Sequence, residues 1–271
     1  MVPGTMDAIL KIASYSFNIM LDGRVPMENY YGRPTNLEPG LLADGWCAAL
    51  CQARGDWEFY VQIFYFPRWD QTEMCWLCRA SSVDAAFAYT DCSMGAGWRG
   101  TCWTHETYMD HRRNNGLAIP ALLLYVIGFR LECVMIDVLH TVDQGVASHI
   151  VGNVLWIAAV IKLFYGGATM KEKVARCYDH LKGWYKQTKC EYKLDGALTV
   201  ERLRATSASW PKLKAKAAVT RKLALYALEI AAAMSDGTDA DERIVDVCRL
   251  LVRFYQIMDS ESKFPGQAAR E

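Results

Sequence analysis

The stretch Cys133-Val134-Met135-Ile136-Asp137-Val138-Leu139-His140-Thr141-Val142-Asp143-Gln144-Gly145-Val146 changes character at its middle. Before Asp137 the run Cys133 to Ile136 is wholly apolar, the pattern of a short buried strand. Beyond Thr141 the residues Val142, Val146, Ile150, Val154, Leu155 and Ala158 recur at helical spacing, which predicts a long buried helix to about Tyr165.

Toward the C-terminus the pattern stays helical. Segments near 169–188, 196–206, 211–234 and 239–259 carry the 3.6-residue period, with breaks at Gly166-Gly167, Ser209-Trp210-Pro211 and Ser235-Asp236-Gly237. Toward the N-terminus the signals are shorter. Ile9 to Leu21 reads as a helix, and Asp22 to Gly40, rich in Gly, Pro and Asn, reads as a loop or arm. Trp46 to Cys51 fits either a short strand or a helical turn. Asp56 is placed to cap a helix from Trp57 to Phe66, closed by Pro67. A loop-rich stretch from Cys78 to Asn115 follows, and Pro120 opens another apolar helix. The expected fold class is mainly α (α+β), with strands confined to about 46–53 and 132–137.

The 271 residues balance 30 Lys and Arg against 30 Asp and Glu, so no overall field marks a nucleic-acid or membrane binder. The distribution is uneven. From Lys162 to Lys222 there are fifteen basic and five acidic residues, a local excess of ten, and the rest of the chain carries the opposite excess. The ten cysteines are read as reduced thiols, because the opening Met1-Val2-Pro3-Gly4-Thr5 has no basic leader region before Ile9-Leu10. The apolar runs Leu117–Phe129 and Ile150–Phe164 fall short of the roughly 20 residues that span a bilayer. They read as core helices, so an intracellular chain with no membrane partner is expected.

Three features stand out by order and spacing: Arg54-Gly55-Asp56-Trp57, then Cys75-Trp76-Leu77-Cys78, then Asp137-Val138-Leu139-His140. Taken singly, each has a plain reading. Asp56 is a helix cap, Cys75 and Cys78 are small buried thiols, His140 is a junction histidine, and Asp137 and Asp143 are dipole partners at a helix start. Taken together they resemble the catalytic region of eukaryotic CACTA-type DDE transposases, and residues 10 to 235 resemble a set of transposon-derived proteins of that kind. The resemblance implies an RNase H-like sheet with Asp56 as a catalytic carboxylate at a strand end, and Asp137, matched to the family's (C/D)-x-x-H motif, as a further catalytic-site candidate. It also implies a structural zinc on Cys75 and Cys78 with His140 from the motif as a ligand, the remaining candidates being His105 or Cys102 from the loop that follows the pair, and a final catalytic Glu, for which Glu229 is the candidate. In that chemistry carboxylates hold two Mg²⁺ ions on either side of an in-line attack at phosphorus. Soft thiolates and imidazole suit zinc.

The chain departs from the family in one important respect. Asp22 is the only candidate first carboxylate, and just 34 positions separate it from Asp56, too few for two strands and a helix. The expected organisation is an N-terminal arm and helix (1–45), a partial RNase H-like region with the CxxC pair (46–165), a basic helical region (166–262) and a disordered tail (263–271). The expected function is that of a transposase-derived protein, inactive as this chain, with Mg²⁺ relevant only to an active form. DNA binding, and with it a nuclear location, is expected of Lys171, Lys173, Arg176, Lys182, Lys186, Lys212, Lys214 and Lys216. Solvated helix surface is the plain reading of the same lysines. Two other functions compete: a nuclease completed by another chain, and a helical interaction module.

Overall fold

The computed structural model describes residues 4–260; the expected tail at 263–271 lies outside the described residues. The chain is mainly helical, and it packs as two units that divide between Ile136 and Asp137. Each is described by itself.

The first unit opens with α1 (Thr5–Asp22), followed by the expected irregular arm. Asp56 caps α2 (Trp57–Phe64), its Oδ1 accepting from the Phe59 amide at 2.8 Å. A long loop then leads to α3 (His105–Asn114) and the short α4 (Ala121–Tyr125). The apolar run after Pro120 gives only five helical residues. Asn18 of α1 closes that helix, donating to the Tyr125 carbonyl and accepting from the Ile127 amide at 2.8 and 2.9 Å. The core is aromatic: Phe66 stacks on Trp76 with ring centroids 4.5 Å apart, and Tyr60, Phe64, Tyr108 and Phe129 surround them.

No sheet forms among the described residues. The two runs expected as strands meet at one isolated parallel bridge, Ala53 to Val134, made by Ala53 N to Cys133 O (3.0 Å) and Met135 N to Ala53 O (2.9 Å). The small RNase H-like sheet expected from these runs is therefore not formed among the described residues, and the runs share a single rung. The Tyr60 hydroxyl extends the junction, accepting from Gly55 N at 3.2 Å and donating to the Met135 carbonyl.

In the second unit the long helix α5 (Leu139–Ile161) is wound as π-helix over Leu139–Val146 and again over Ile157–Ile161. Such wide turns are uncommon and cluster at functional sites. Gly145 is required by the first, since a Cβ there would stand 2.9 Å from the His140 carbonyl. The helix starts before the apolar run at Ile150, so its 23 residues are long and apolar enough to cross a membrane, contrary to the expectation from the run alone; half of its apolar window is buried. It packs with α6 (Met170–Gln187), α8 (Ala217–Met234) and α9 (Asp239–Ser260) around Leu155, Leu181, Leu223 and Tyr226.

Two helices are shorter than their expected spans. Of 196–206 only α7 (Val200–Leu203) is helical. Residues 211–216, expected to open a helix, are not helical, and 211–214 run beside α5 instead. Leu213 N donates to Ser148 O at 2.8 Å, and Asn153 Nδ2 donates to Pro211 O at 3.0 Å. The other edge of the segment is held by Lys212 N to Leu203 O (2.7 Å) and Lys214 N to Arg202 O (2.8 Å).

Gly152 makes this approach possible: a Cβ on it would lie 2.5 Å from Leu213 N and 2.8 Å from the Lys212 backbone. Gly152→Ala gains about 1 kcal/mol of helix propensity. The backbone collision outweighs it, and we expect a net loss of about 1–3 kcal/mol, read as a lower denaturant midpoint. An unchanged or higher midpoint would show that the segment is not seated there.

Candidate functional site

The CxxC pair lies in the loop between α2 and α3. Trp76 is anchored in the aromatic core, which turns Cys75 and Cys78 toward each other, and Trp103 N to Leu77 O (2.9 Å) brings Cys102 alongside. Burial pushes the Cys78 thiol up to about 11, and the neighbouring Cys75 and Cys102 push in the same direction. A thiol in that state is mostly protonated and unreactive at neutral pH. The pair borders a cleft of about 690 Å³ that also takes in Trp103, His111 and Arg112. His111, which the sequence did not single out, lies tilted by 35° against Trp103 with ring centroids 5.0 Å apart.

A closed zinc site needs four ligands. Within the first unit there are two facing thiols and a third in electrostatic reach. His105 accepts the Leu131 amide on Nδ1 at 3.1 Å, which leaves the proton on Nε2 and commits the ring as a neutral acceptor. Among the described residues no group of three or more His, Cys, Asp or Glu side chains is gathered to hold a metal. The first unit alone therefore does not present a closed tetrahedral set.

Asp137 and His140 open the second unit as a pair on one helical turn. The carboxylate accepts the Leu139 amide (3.1 Å) and the His140 amide (3.4 Å), and it receives Nδ1 of the His140 ring. Burial raises the Asp137 pKa, but these hydrogen bonds outweigh it and hold the carboxyl below its usual range. The contact fixes the proton on Nδ1 and leaves Nε2 free to accept, the arrangement found behind metal-bound histidines. Of the two histidines expected as ligands, His140 keeps a usable nitrogen and His105 does not.

Glu229 is employed elsewhere. On α8, its Oε2 accepts the indole NH of Trp184 from α6 at 2.8 Å. Asp143, from the middle of the motif phrase, is buried and accepts the Tyr255 hydroxyl at 2.6 Å, tying the first π segment to α9.

The expected phosphate-binding residues divide by position. Lys171, Arg176, Lys182 and Lys186 are exposed on α6, and Lys173 is partly buried. Lys171, Lys182 and Lys186 fall within roughly 60° of one another around the helix. Lys182 pairs with Asp179 at 2.6 Å. Lys212, Lys214 and Lys216 project from the segment 211–216 at alternate positions, all exposed, with Leu213 buried between the first two. Glu201, held down first by hydrogen bonds from its own amide and from Thr199, also feels Lys171 and Lys214, so the two basic groups share a neighbourhood.

Other cations of the basic stretch are spent internally. Lys162 donates to Met234 O and Asp236 (both 3.3 Å) and to the buried Asp241, and Arg204 holds the 205–210 loop through Ser209 O at 2.7 Å. No protein-family model, curated protein or solved structure gives a significant match to this chain.

The Glu229 contact separates a structural from a catalytic use. Glu229→Gln keeps an acceptor for the indole and should leave stability within about 0.5 kcal/mol, whereas Glu229→Ala should cost about 1 kcal/mol and shift Trp184 fluorescence. Equal stability of the Ala variant and the parent would mean that the contact holds nothing.

Proposed function

We propose that this chain is a transposase-derived protein that does not cut DNA and that holds nucleic-acid phosphates, irrespective of base sequence, on the basic face of its second unit. The observation that carries the reading is the docked segment 211–214, from which Lys212 and Lys214 project into solvent, with Lys216 exposed at the N-terminus of α8. The segment's backbone is held on both edges, so these charges are presented without further ordering of the chain. Lys171 and Lys186 add exposed charge with no ion pair among the described residues. The Lys216–Asp195 pair at 2.9 Å is exposed on both sides and opens at little cost.

The inactive half of the reading is supported by how the carboxylates are used. Asp56 caps α2, Asp137 orients His140, and Glu229 holds Trp184. Two-metal phosphoryl chemistry needs several carboxylates converging on the ions, and each of these is already committed to the fold. The transposase origin is supported by the three motifs in order and by the parallel rung Ala53–Val134, which joins the runs leading to Gly55-Asp56 and to Met135-Ile136.

One observation favours the interaction-module reading. Val247, Leu250, Phe254 and Met258 form an exposed apolar stripe at helical spacing along α9.

Purified protein should retain duplex DNA at low salt, release it as salt rises, and leave it uncut with Mg²⁺ or Mn²⁺. Each of Lys171→Ala, Lys186→Ala and Lys212→Ala should lower the slope of log affinity against log salt by about one unit. Retention that ignores salt would overturn the basic-face reading, no retention at all would favour the α9 stripe as an interaction surface, and cleavage lost in Asp56→Ala would overturn the inactive one.

A further inference from the structure

A cavity of about 330 Å³ opens in the second unit beside the docked segment, lined by Gln144, Asp195, Arg202, Lys214 and Lys216. Three of these side chains are cationic and one is a carboxylate. Arg202 is placed from two directions. Its amide is fixed by the Thr199 cap of α7, and its Nη2 donates to the Asp195 carbonyl. Its Nη1, in contrast, is buried and has no hydrogen-bond partner among the described residues.

An unpaired donor on a permanently charged guanidinium is costly where water is excluded, and in native folds such atoms are normally met by a water or an ion. Two lysines line the same cavity as Arg202. Lys214 makes no ion pair among the described residues, and Lys216 is engaged only by exposed Asp195. Gln144, on the first π segment, makes no side-chain hydrogen bond among the described residues and can donate its amide. A planar guanidinium, two ammonium groups and an amide lining one cavity supply the charge and the donors that a tetrahedral oxyanion takes. Lys216 offsets the Asp195 carboxylate, so the side chains lining the cavity keep a net positive charge, which attracts a doubly charged anion more strongly than chloride.

We propose that this cavity is a phosphate subsite in which Arg202 is the central donor, with Lys214, Lys216 and Gln144 closing around the oxyanion. The shared chemistry is a phosphate group, carried on a nucleic-acid backbone or free as phosphate. The subsite deepens the proposed function and rests on it only for the first of these sources.

The test uses the full chain and two probes, inorganic phosphate and a 20-base-pair duplex, on the parent protein, Arg202→Gln, Lys214→Gln and, as a charge control, Lys171→Gln. Phosphate should raise the parent's melting temperature above that in sodium chloride of matched ionic strength. Apparent affinity for phosphate should fall about tenfold in Arg202→Gln, as expected for loss of a charged hydrogen bond, and clearly in Lys214→Gln, but not in Lys171→Gln. If Arg202→Gln fails to fold, the exposed Lys214 decides alone. Duplex affinity should fall further in Arg202→Gln than in Lys171→Gln.

Phosphate stabilisation unchanged in Arg202→Gln and Lys214→Gln overturns the subsite. Duplex retention with equal losses in all three variants, and no phosphate effect, leaves the basic face standing and removes the subsite. Phosphate binding through Arg202 without duplex retention does the reverse, and identifies a free phosphate group as the ligand.

Discussion

The second unit depends on one close backbone approach, the Leu213 amide against the Ser148 carbonyl across the bare surface of Gly152. Any side chain at position 152 would separate the two segments. With glycine there, residues 211–214 lie against α5, donating to and accepting from it on one side and donating to the carbonyls at the end of α7 on the other. Ser148 is buried and serves twice. Its carbonyl receives Leu213, and its hydroxyl turns back onto the carbonyls of Gln144 and Gly145 at 2.7 and 2.8 Å, where the π segment gives way to ordinary helix. The wide turn, the buried serine and the docked segment are thus one construction. It fixes the backbone of Lys212 and Lys214 and brings Arg202 and Gln144 to the same cavity.

The rest of the unit is tied by a small number of buried polar contacts between distant helices. Asp143 and Tyr255 join α5 to α9, and burial first, then the Asp143 carboxylate, raises the tyrosine pKa so that its hydroxyl stays a donor. Lys162, at the far end of α5, meets the last carbonyl of α8 and the buried Asp241 of α9. Removing one partner from such a pair leaves a buried charge without compensation, which is why charged side chains persist in this interior. A further chain of hydroxyls, Tyr165 to Tyr226 (3.2 Å) and Tyr226 to the His180 ring (2.9 Å), crosses between α6 and α8.

Much of the helical architecture was legible because it is written locally. The apolar period of α6 and α9 predicted both helices to within two residues, and the Asp56 cap and the closure near Pro67 followed from residue type alone. The Pro211-Lys212-Leu213-Lys214-Ala215-Lys216 segment was misread because its lysines were taken with the helix that follows. Its own pattern alternates with period two, the signature of extended chain, and that signal was available. The brevity of α4 was not legible, since what closes it is Asn18, 107 residues away from Tyr125. The candidate site divides in the same way. Asp137 and His140 are three residues apart on one turn and could be paired from the sequence. The contact of Glu229 with Trp184 spans 45 positions, and the burial of the unpartnered Arg202 nitrogen is a tertiary feature with no local signal.

The seating of Leu213 is most directly tested by amide hydrogen exchange resolved to single residues. If the segment is docked as described, the Leu213 amide, buried and bonded to Ser148, exchanges as slowly as amides in the middle of α5, and Gly152→Ala accelerates it while leaving α9 protected. A Leu213 amide that exchanges as fast as those of the exposed loop at 205–208 in the parent protein would contradict the account. The lysines would then hang on a mobile chain, and the cavity at Arg202 would have no fixed wall.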